Sequence, residues 1–345
     1  MKALVIGGGG SKGAFAVGVL KFIHQRVQPL GSFDIYSGTS TGSLIVPLAL
    51  LGEIDMLEQI YTSTRNEDIL NKHSIGRLLT DISIHDATPL LRFIEREITP
   101  ARAARIMASP KRLYLSGVSL QTQDLVHFAT KPTPATDAYR IRTISTIQQL
   151  QRAMLASSCQ PIYMQPVDVF SDGREQFCDG GVRENTPLQV AVDAGATEII
   201  AISMGPKLGQ NVFSTSLFSK ATAILGFTID TFSTDVGQND YRLPDFIVEV
   251  NQYLAAVKTQ LLRSGVSPAV VETGFSAATS PVKHTPLVKI DELRPDINLG
   301  TDEFGGDGGL NFDPVKMKRM LDLGFEKAKQ HFGNPGPGNL IAGSR

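Results

Sequence analysis

Gly38-Thr39-Ser40-Thr41-Gly42, set between the apolar run Phe33-Asp34-Ile35-Tyr36 and the apolar stretch Leu44 to Leu51, is the segment on which the fold reading turns. A Gly-x-Ser-x-Gly turn that follows a strand and opens a helix lifts the serine hydroxyl above the C-terminal edge of a sheet. Its glycines admit strained backbone and close approach of neighbouring chain. The alternative is a serine that merely caps a helix in a small-residue turn.

Toward the N-terminus, Ala3-Leu4-Val5-Ile6 reads as a buried strand, and Phe15, Val19, Phe22 and Ile23 form a helical stripe between Ser11 and about Gln25. Gly7-Gly8-Gly9-Gly10-Ser11-Lys12-Gly13 occupies the turn between them. A right-handed crossover makes the first two strands parallel, so both turns fall on one sheet edge. There the amides of a helix N-terminus can receive a phosphate or an oxyanion. Gly8, Gly10 and Gly13 also fit a dinucleotide-binding turn, with Asp34 near the acidic position such a site uses. That acid belongs at the end of the second strand, whereas Asp34 opens it. A P-loop fails because Lys12 is followed by Gly13 rather than Ser or Thr.

Beyond Gly52 the pattern predicts a helical cover over residues 53–107, with Thr88 as a hydroxyl N-cap before Pro89. It then predicts a strand pair, Lys111 to Ser119 and Leu125 to Thr130, and a helix from about Thr146 to Ser157. A hairpin turning at Asp172-Gly173 joins Val167 to Phe170 and Glu175 to Cys178. A helix near Pro187 to Ala194, a strand Glu198 to Met204, and helices over Asp245 to Ser264 and from Asp313-Pro314 to about Phe332 complete the chain.

A serine nucleophile needs a base. His24 and His331 sit in helical patterns, His73 and His85 in the helical cover, and His127 in a strand; only His284 is placed in order for a Ser-acid-His triad. Asp179 is the better candidate, because Asp179-Gly180-Gly181 follows a strand and precedes a helix. A turn that only caps its own backbone is the competing reading. Asp307-Gly308-Gly309 has no adjoining strand and reads as a plain turn.

Across 345 residues, 33 basic and 34 acidic side chains give a net charge of −1, and no dense basic run points to nucleic acid. Cys159 and Cys178 form neither a disulfide framework nor a metal-ligand pattern. No metal or cofactor is expected. The apolar run after Met1 stops at Gly7, and no stretch of about 18 apolar residues exists. A cytoplasmic protein is expected, with loose peripheral membrane contact if its substrate is lipid; the apolar segments Val212 to Phe232 and Ile75 to Ile84 read first as core helices, and alternatively as elements that dip into an interface or line an acyl channel. The oligomeric state is not legible.

Three ordered motifs together resemble the patatin-like phospholipase family: Gly8-Gly9-Gly10-Ser11-Lys12-Gly13, Gly38-Thr39-Ser40-Thr41-Gly42 and Asp179-Gly180-Gly181. Ala156-Ser157-Ser158 and Asn185-Thr186-Pro187 support the resemblance, which covers roughly residues 2–204. It implies a three-layer α/β/α fold with a mainly parallel central sheet, the elbow after the second strand and a helical C-terminal extension. It further implies a lipid acyl hydrolase acting on carboxylic esters, with Ser40 as nucleophile, Asp179 as base without histidine, and the Gly8, Gly9 and Gly10 amides as oxyanion hole. The corresponding organisation is a catalytic domain over 1–210, a helical extension over 211–332 packed on it, and a disordered tail over 333–345. Two other classes stay open on the residues alone, a dinucleotide-binding oxidoreductase and a catalytically silent lipid-binding scaffold.

Overall fold

The first strand has no polar face. Ala3 and Val5 point into one hydrophobic layer and Leu4 and Ile6 into another, which is the pattern of a strand covered on both sides. The computed structural model describes residues 1–72, 82–133, 136–207, 221–277, 285–301, 303 and 309–333. His73, His284, Asp307, the tail beyond Gly333, most of 75–84 and the first part of 212–232 lie outside the described residues.

In chain order the elements are β1 (Lys2–Ile6), α1 (Gly13–Phe22), β2 (Ile35–Thr39), α2 (Thr41–Leu51), α3 (Ile54–Ser63), α4 (Asn66–Ile69), β3 (Asn71–Lys72), β4 (His85–Asp86), α5 (Thr88–Glu97) and α6 (Pro100–Ala108). They continue with β5 (Arg112–Ser119), β6 (Leu125–Ala129), β7 (Arg140–Thr143), α7 (Ile147–Ser158), β8 (Phe177–Asp179), α8 (Leu188–Asp193) and β9 (Glu198–Ile202). The last are α9 (Ala221–Asn239), α10 (Arg242–Arg263), α11 (Pro268–Ala277), β10 (Lys289–Leu293) and α12 (Pro314–Phe332).

The sheet order is β10-β9-β1-β2-β5-β6-β7. The five strands from β10 to β5 run parallel, β6 is antiparallel to β5, and β7 is parallel to β6. On one face α1, α2, α3, α7 and α12 pack over Leu4, Ile6, Tyr36, Leu115 and Phe128; on the other, α8 and α10 cover Ala3, Val5, Ile35 and Ala201. This is the expected three-layer α/β/α fold. The C-terminal residues contribute directly, since β10 extends the sheet beside β9 and α12 packs on α1 and α3.

Three local expectations change. β2 begins at Ile35, because Phe33 packs edge-on to Tyr36 and Asp34 turns its carboxylate to accept the Lys2 N–H at 2.8 Å. The helix at Thr88 is capped from outside: Asp86 Oδ1 accepts both the Thr88 N–H and its hydroxyl. The hairpin over 167–178 shrinks to one bridge, Val167 with Phe177, because the second arm leaves to pair with β5. Its turn is as read, with Gly173 at φ +67°.

Candidate active site

Sheet register brings the two candidate catalytic residues together. β2 pairs with β5 as far as Thr39 opposite Ser116, and the next β5 residue, Gly117, is opposite Asp179 of β8. β6 occupies the other edge of β5, so β8 prolongs the line that β2 leaves. Ser40, one residue past β2, therefore meets Asp179 end to end across the same edge.

Ser40 has φ 54° and ψ −124°, a backbone conformation that costs a non-glycine residue about 1–3 kcal/mol. The surroundings hold it there. Its N–H donates to Ser157 Oγ at 3.0 Å, and its carbonyl accepts from the Ser43 N–H at 2.9 Å, Ser43 Oγ at 2.6 Å and Ser158 Oγ at 3.2 Å. The end of α7 thus clamps the elbow. Gly42 is required by close approach, since a β-carbon there would fall 2.1 Å from the Ile6 carbonyl oxygen. Thr41 hydrogen-bonds the Tyr61 hydroxyl.

Asp179 caps its own turn and faces the elbow at once. Its Oδ1 accepts the Gly181 N–H at 2.8 Å, capping the turn Gly180–Val182, and its carboxylate also faces the Ser40 side chain. Only 7% of the residue is exposed. Burial raises its pKa to about 6, opposed by the hydrogen bonds from Gly181 and Ser40. A carboxylate tuned toward neutrality beside a strained serine can accept the serine proton and return it.

The glycine turn abuts the elbow, for a β-carbon on Gly8 would stand 3.0 Å from Ser40 Cβ. Its amides are not equivalent. The Gly7 N–H donates to the Ile202 carbonyl at 2.9 Å and the Gly8 N–H to the Asn185 carbonyl at 3.0 Å. The Gly8 N–H is therefore engaged by the fold. Ser11, Lys12 and Gly13 complete the turn, Gly10–Lys12 forming the short 3₁₀ segment that leads into α1.

Ser40, Asp179 and Gly8 to Gly10 line one cavity of about 510 Å³. Leu44, Leu48, Leu57, Leu90, Phe93 and Met154 supply apolar lining, while Asn185, Gln238 and Arg294 add polar groups. Ile162, Val182 and Phe232 line it and are 43%, 51% and 66% exposed, marking its outer rim. Among the described residues no histidine lines the cavity. His127 is buried 3.3 Å from Glu184, and burial lowers its pKa to about 3, so it is neutral. Asp34 sits at the opposite end of β1 and β2, bonded to Lys2, where it cannot serve a ligand at the glycine turn. No group of three metal-ligating side chains occurs among the described residues.

A three-layer sheet protein whose second strand ends in a strained serine elbow, faced by an Asp-Gly-Gly turn and flanked by a glycine turn, belongs to a narrow structural class. The chain is a member of the patatin-like phospholipase family, whose family model, Patatin-like phospholipase, matches residues 4–192. Patatin-like phospholipase domain-containing protein 6 of Homo sapiens is 23% identical over 344 residues, covering 98% of this chain and 21% of its own length. Patatin-like phospholipase domain-containing protein 7 of Mus musculus is 28% identical over 205 residues, 59% of this chain and 14% of that protein. The cUMP-AMP-activated phospholipase of Escherichia coli is 44% identical over 64 residues, 18% of this chain and 20% of its own. Each alignment thus spans about a fifth or less of the relative. Among solved structures, VipD from Legionella pneumophila matches with a TM-score of 0.39 at 12% identity, over 97% of this chain and 67% of that one.

The cap Asp86 and the clamp Ser157–Ser158 had partial sequence signals, the latter lying in the quoted Ala156-Ser157-Ser158 stretch. Asp240, whose Oδ2 accepts the Asn185 N–H at 2.8 Å and the Thr186 N–H at 2.7 Å, had none. Its partners lie 55 and 54 residues away in sequence.

Proposed function

We propose that this chain is a lipid acyl hydrolase that cleaves carboxylic esters through a Ser40–Asp179 dyad and an acyl-enzyme intermediate. The observation that carries the reading is the juxtaposition of a strained Ser40 with a buried, near-neutral Asp179 on the wall of a largely apolar cavity. Asp179 takes the hydroxyl proton as Ser40 Oγ attacks the ester carbonyl. The Gly9 and Gly10 amides stabilise the tetrahedral oxyanion. Asp179 then protonates the departing alkoxide, and in the second half-reaction it activates water to release the fatty acid.

The cavity supports an acyl-chain substrate, because its size falls within the roughly 300–1,000 Å³ of small-ligand sites and its wall is mostly aliphatic. Family membership and the names of the relatives point the same way. Lipid would reach the site through the apolar rim of Ile162, Val182 and Phe232, with the protein resting on a membrane surface rather than crossing it. No helix among the described residues is long and apolar enough to span a bilayer.

The test is hydrolysis of short and long nitrophenyl esters and of phosphatidylcholine by wild type, Ser40→Ala and Asp179→Asn, with circular dichroism verifying that all three fold. Loss in both variants is expected. Undiminished turnover in either folded variant would sink the dyad.

A further inference from the structure

Asn185 stands where three segments of the site meet. Its carbonyl accepts the Gly8 N–H at 3.0 Å, and its side chain fills the space left by three glycines. A β-carbon on Gly8 or Gly181 would fall 2.5 or 3.2 Å from Asn185 Oδ1, and one on Gly237 would fall 3.1 Å from Asn185 Nδ2. Gly8 belongs to the glycine turn, Gly181 to the turn carrying Asp179, and Gly237 to α9. One side chain therefore spaces the proposed oxyanion turn, the base turn and a C-terminal helix.

The backbone on either side of this spacer is fastened by a single oxygen. Asp240 Oδ2 accepts the Asn185 N–H at 2.8 Å and the Thr186 N–H at 2.7 Å. The next residue holds the same segment through a relay, as Tyr241 hydroxyl bonds Ser203 Oγ at 2.9 Å and Ser203 Oγ bonds Thr186 Oγ1 at 3.2 Å. Asp240 lies outside the cavity lining and touches none of the groups that the proposed chemistry uses. Burial raises its pKa to about 7, opposed by its two backbone hydrogen bonds and by the Arg294 charge. A carboxylate kept where its charge is disfavoured has its gain in what it holds.

Resting on the ester-hydrolase reading of Ser40, we propose that Asp240 is a positioning residue: by fixing the Asn185–Thr186 backbone it sets the spacing between the glycine turn and the Asp179 turn. Without it two backbone N–H groups at the junction lose their acceptor. The Asn185 carbonyl that anchors Gly8 is then free to shift, and a displacement of about 1 Å among reacting groups can lower a rate about 100-fold. Ground-state binding of a short ester, made by the apolar wall, is left alone. The effect therefore falls on kcat.

The experiment is steady-state hydrolysis of a short nitrophenyl ester at pH 8 by wild type, Ser40→Ala, Asp240→Ala and Asp240→Asn, with thermal unfolding of each. For Asp240→Ala the expected result is a kcat loss of about 10- to 100-fold with KM within about twofold. Asp240→Asn keeps an oxygen able to accept both N–H groups and is expected to retain kcat within about threefold. A folded Asp240→Ala with wild-type kcat, a loss confined to KM, or an Asp240→Asn as impaired as Asp240→Ala would overturn the proposal. Full activity of Ser40→Ala would instead overturn the ester-hydrolase reading itself. Should Asp240→Ala not fold, Gly237→Ala decides, because its methyl presses on Asn185 Nδ2 from a helix interior that favours alanine. A kcat loss of about threefold or more supports the proposal, and an unchanged kcat overturns it.

Discussion

Replacing Asp179 by asparagine is expected to stabilise the fold while removing the proposed base. Burial drives the Asp179 pKa from its ordinary 3.8 up to about 6, with the Gly181 and Ser40 hydrogen bonds opposing the rise. The folded state thus favours the neutral acid more than the unfolded chain does. Below about pH 3.8 both states are protonated and the burial costs nothing; as pH climbs toward 6 the unfolded chain ionises first, and stability is lost until the folded carboxyl has ionised too. Each tenfold change in the proton equilibrium is worth about 1.4 kcal/mol, so wild type carries a penalty of about 3 kcal/mol at pH 8 and under about 1 kcal/mol at pH 4. Asparagine is neutral throughout, matches the shape, and offers its amide oxygen to the Gly181 N–H. Urea unfolding followed by circular dichroism at pH 4 and pH 8 reads the difference directly. The variant is expected to gain about 3 kcal/mol over wild type at pH 8 and little at pH 4. An equal gain at both pH values, or a variant weaker than wild type at pH 8, would refute the assignment of a buried carboxylate whose charge is disfavoured at this position.

The same group sets the acid limb of activity. For a base with a pKa of about 6, kcat/KM on a soluble ester is expected to fall about tenfold per pH unit below 6 and to level off above about 7; a profile flat down to pH 4 would remove Asp179 from the role of base. Interfacial access is tested at the rim. Phe232→Asp with Ile162→Asp is expected to lower affinity for phosphatidylcholine vesicles, read by sedimentation, by more than about 100-fold, at about 1.5–3 kcal/mol per large apolar side chain taken out of lipid, while hydrolysis of a short soluble ester stays within about threefold. Unchanged vesicle binding would mean that lipid enters elsewhere.

What the sequence made legible were the places where local chemistry and fold agree. Ser40 and Gly10 take positive φ, and Gly42 and Gly180 are needed where backbone approaches Ile6 and Ser116 too closely for a β-carbon; only a few residue types meet such demands, so their positions survive as motifs. Boundaries inside fully buried segments were harder. α2 is buried along nearly its whole length and begins at Thr41, directly after the strained Ser40, rather than at Leu44. With no solvent face it has no hydrophobic period to mark its start. The second hairpin arm misled for a different reason: Phe177 and Cys178 alternate as a strand does, but nothing local says that β5, 58 or more residues upstream in its pairing, offers a better edge than Val167 to Phe170.

That edge gives a reason why an aspartate, rather than a histidine, would serve in the proposed dyad. β8 reaches β5 only where β2 has ended, so whatever residue closes β8 is delivered to the elbow at close range, across the short gap between two strand ends on the same edge of β5. A side chain as short as aspartate spans that gap, and a histidine on the same backbone would have to be accommodated in a site already closed by Gly180 against Ser116, where even a β-carbon would fall 2.7 Å from the Ser116 side chain and carbonyl. The glycines of the Asp-Gly-Gly turn are therefore part of the proposed dyad's geometry rather than ornaments of the loop. Asp179 takes its orientation from its own turn, through the Gly181 N–H, and from the Cys159 carbonyl that accepts the Asp179 N–H at 2.9 Å. Cys159 directly follows α7, whose Ser157 and Ser158 clamp the elbow. One helix end thus fixes both partners, and a displacement of α7 would move Ser40 and Asp179 together, preserving their mutual geometry while shifting both against the glycine turn that Asn185 and Asp240 hold from the other side.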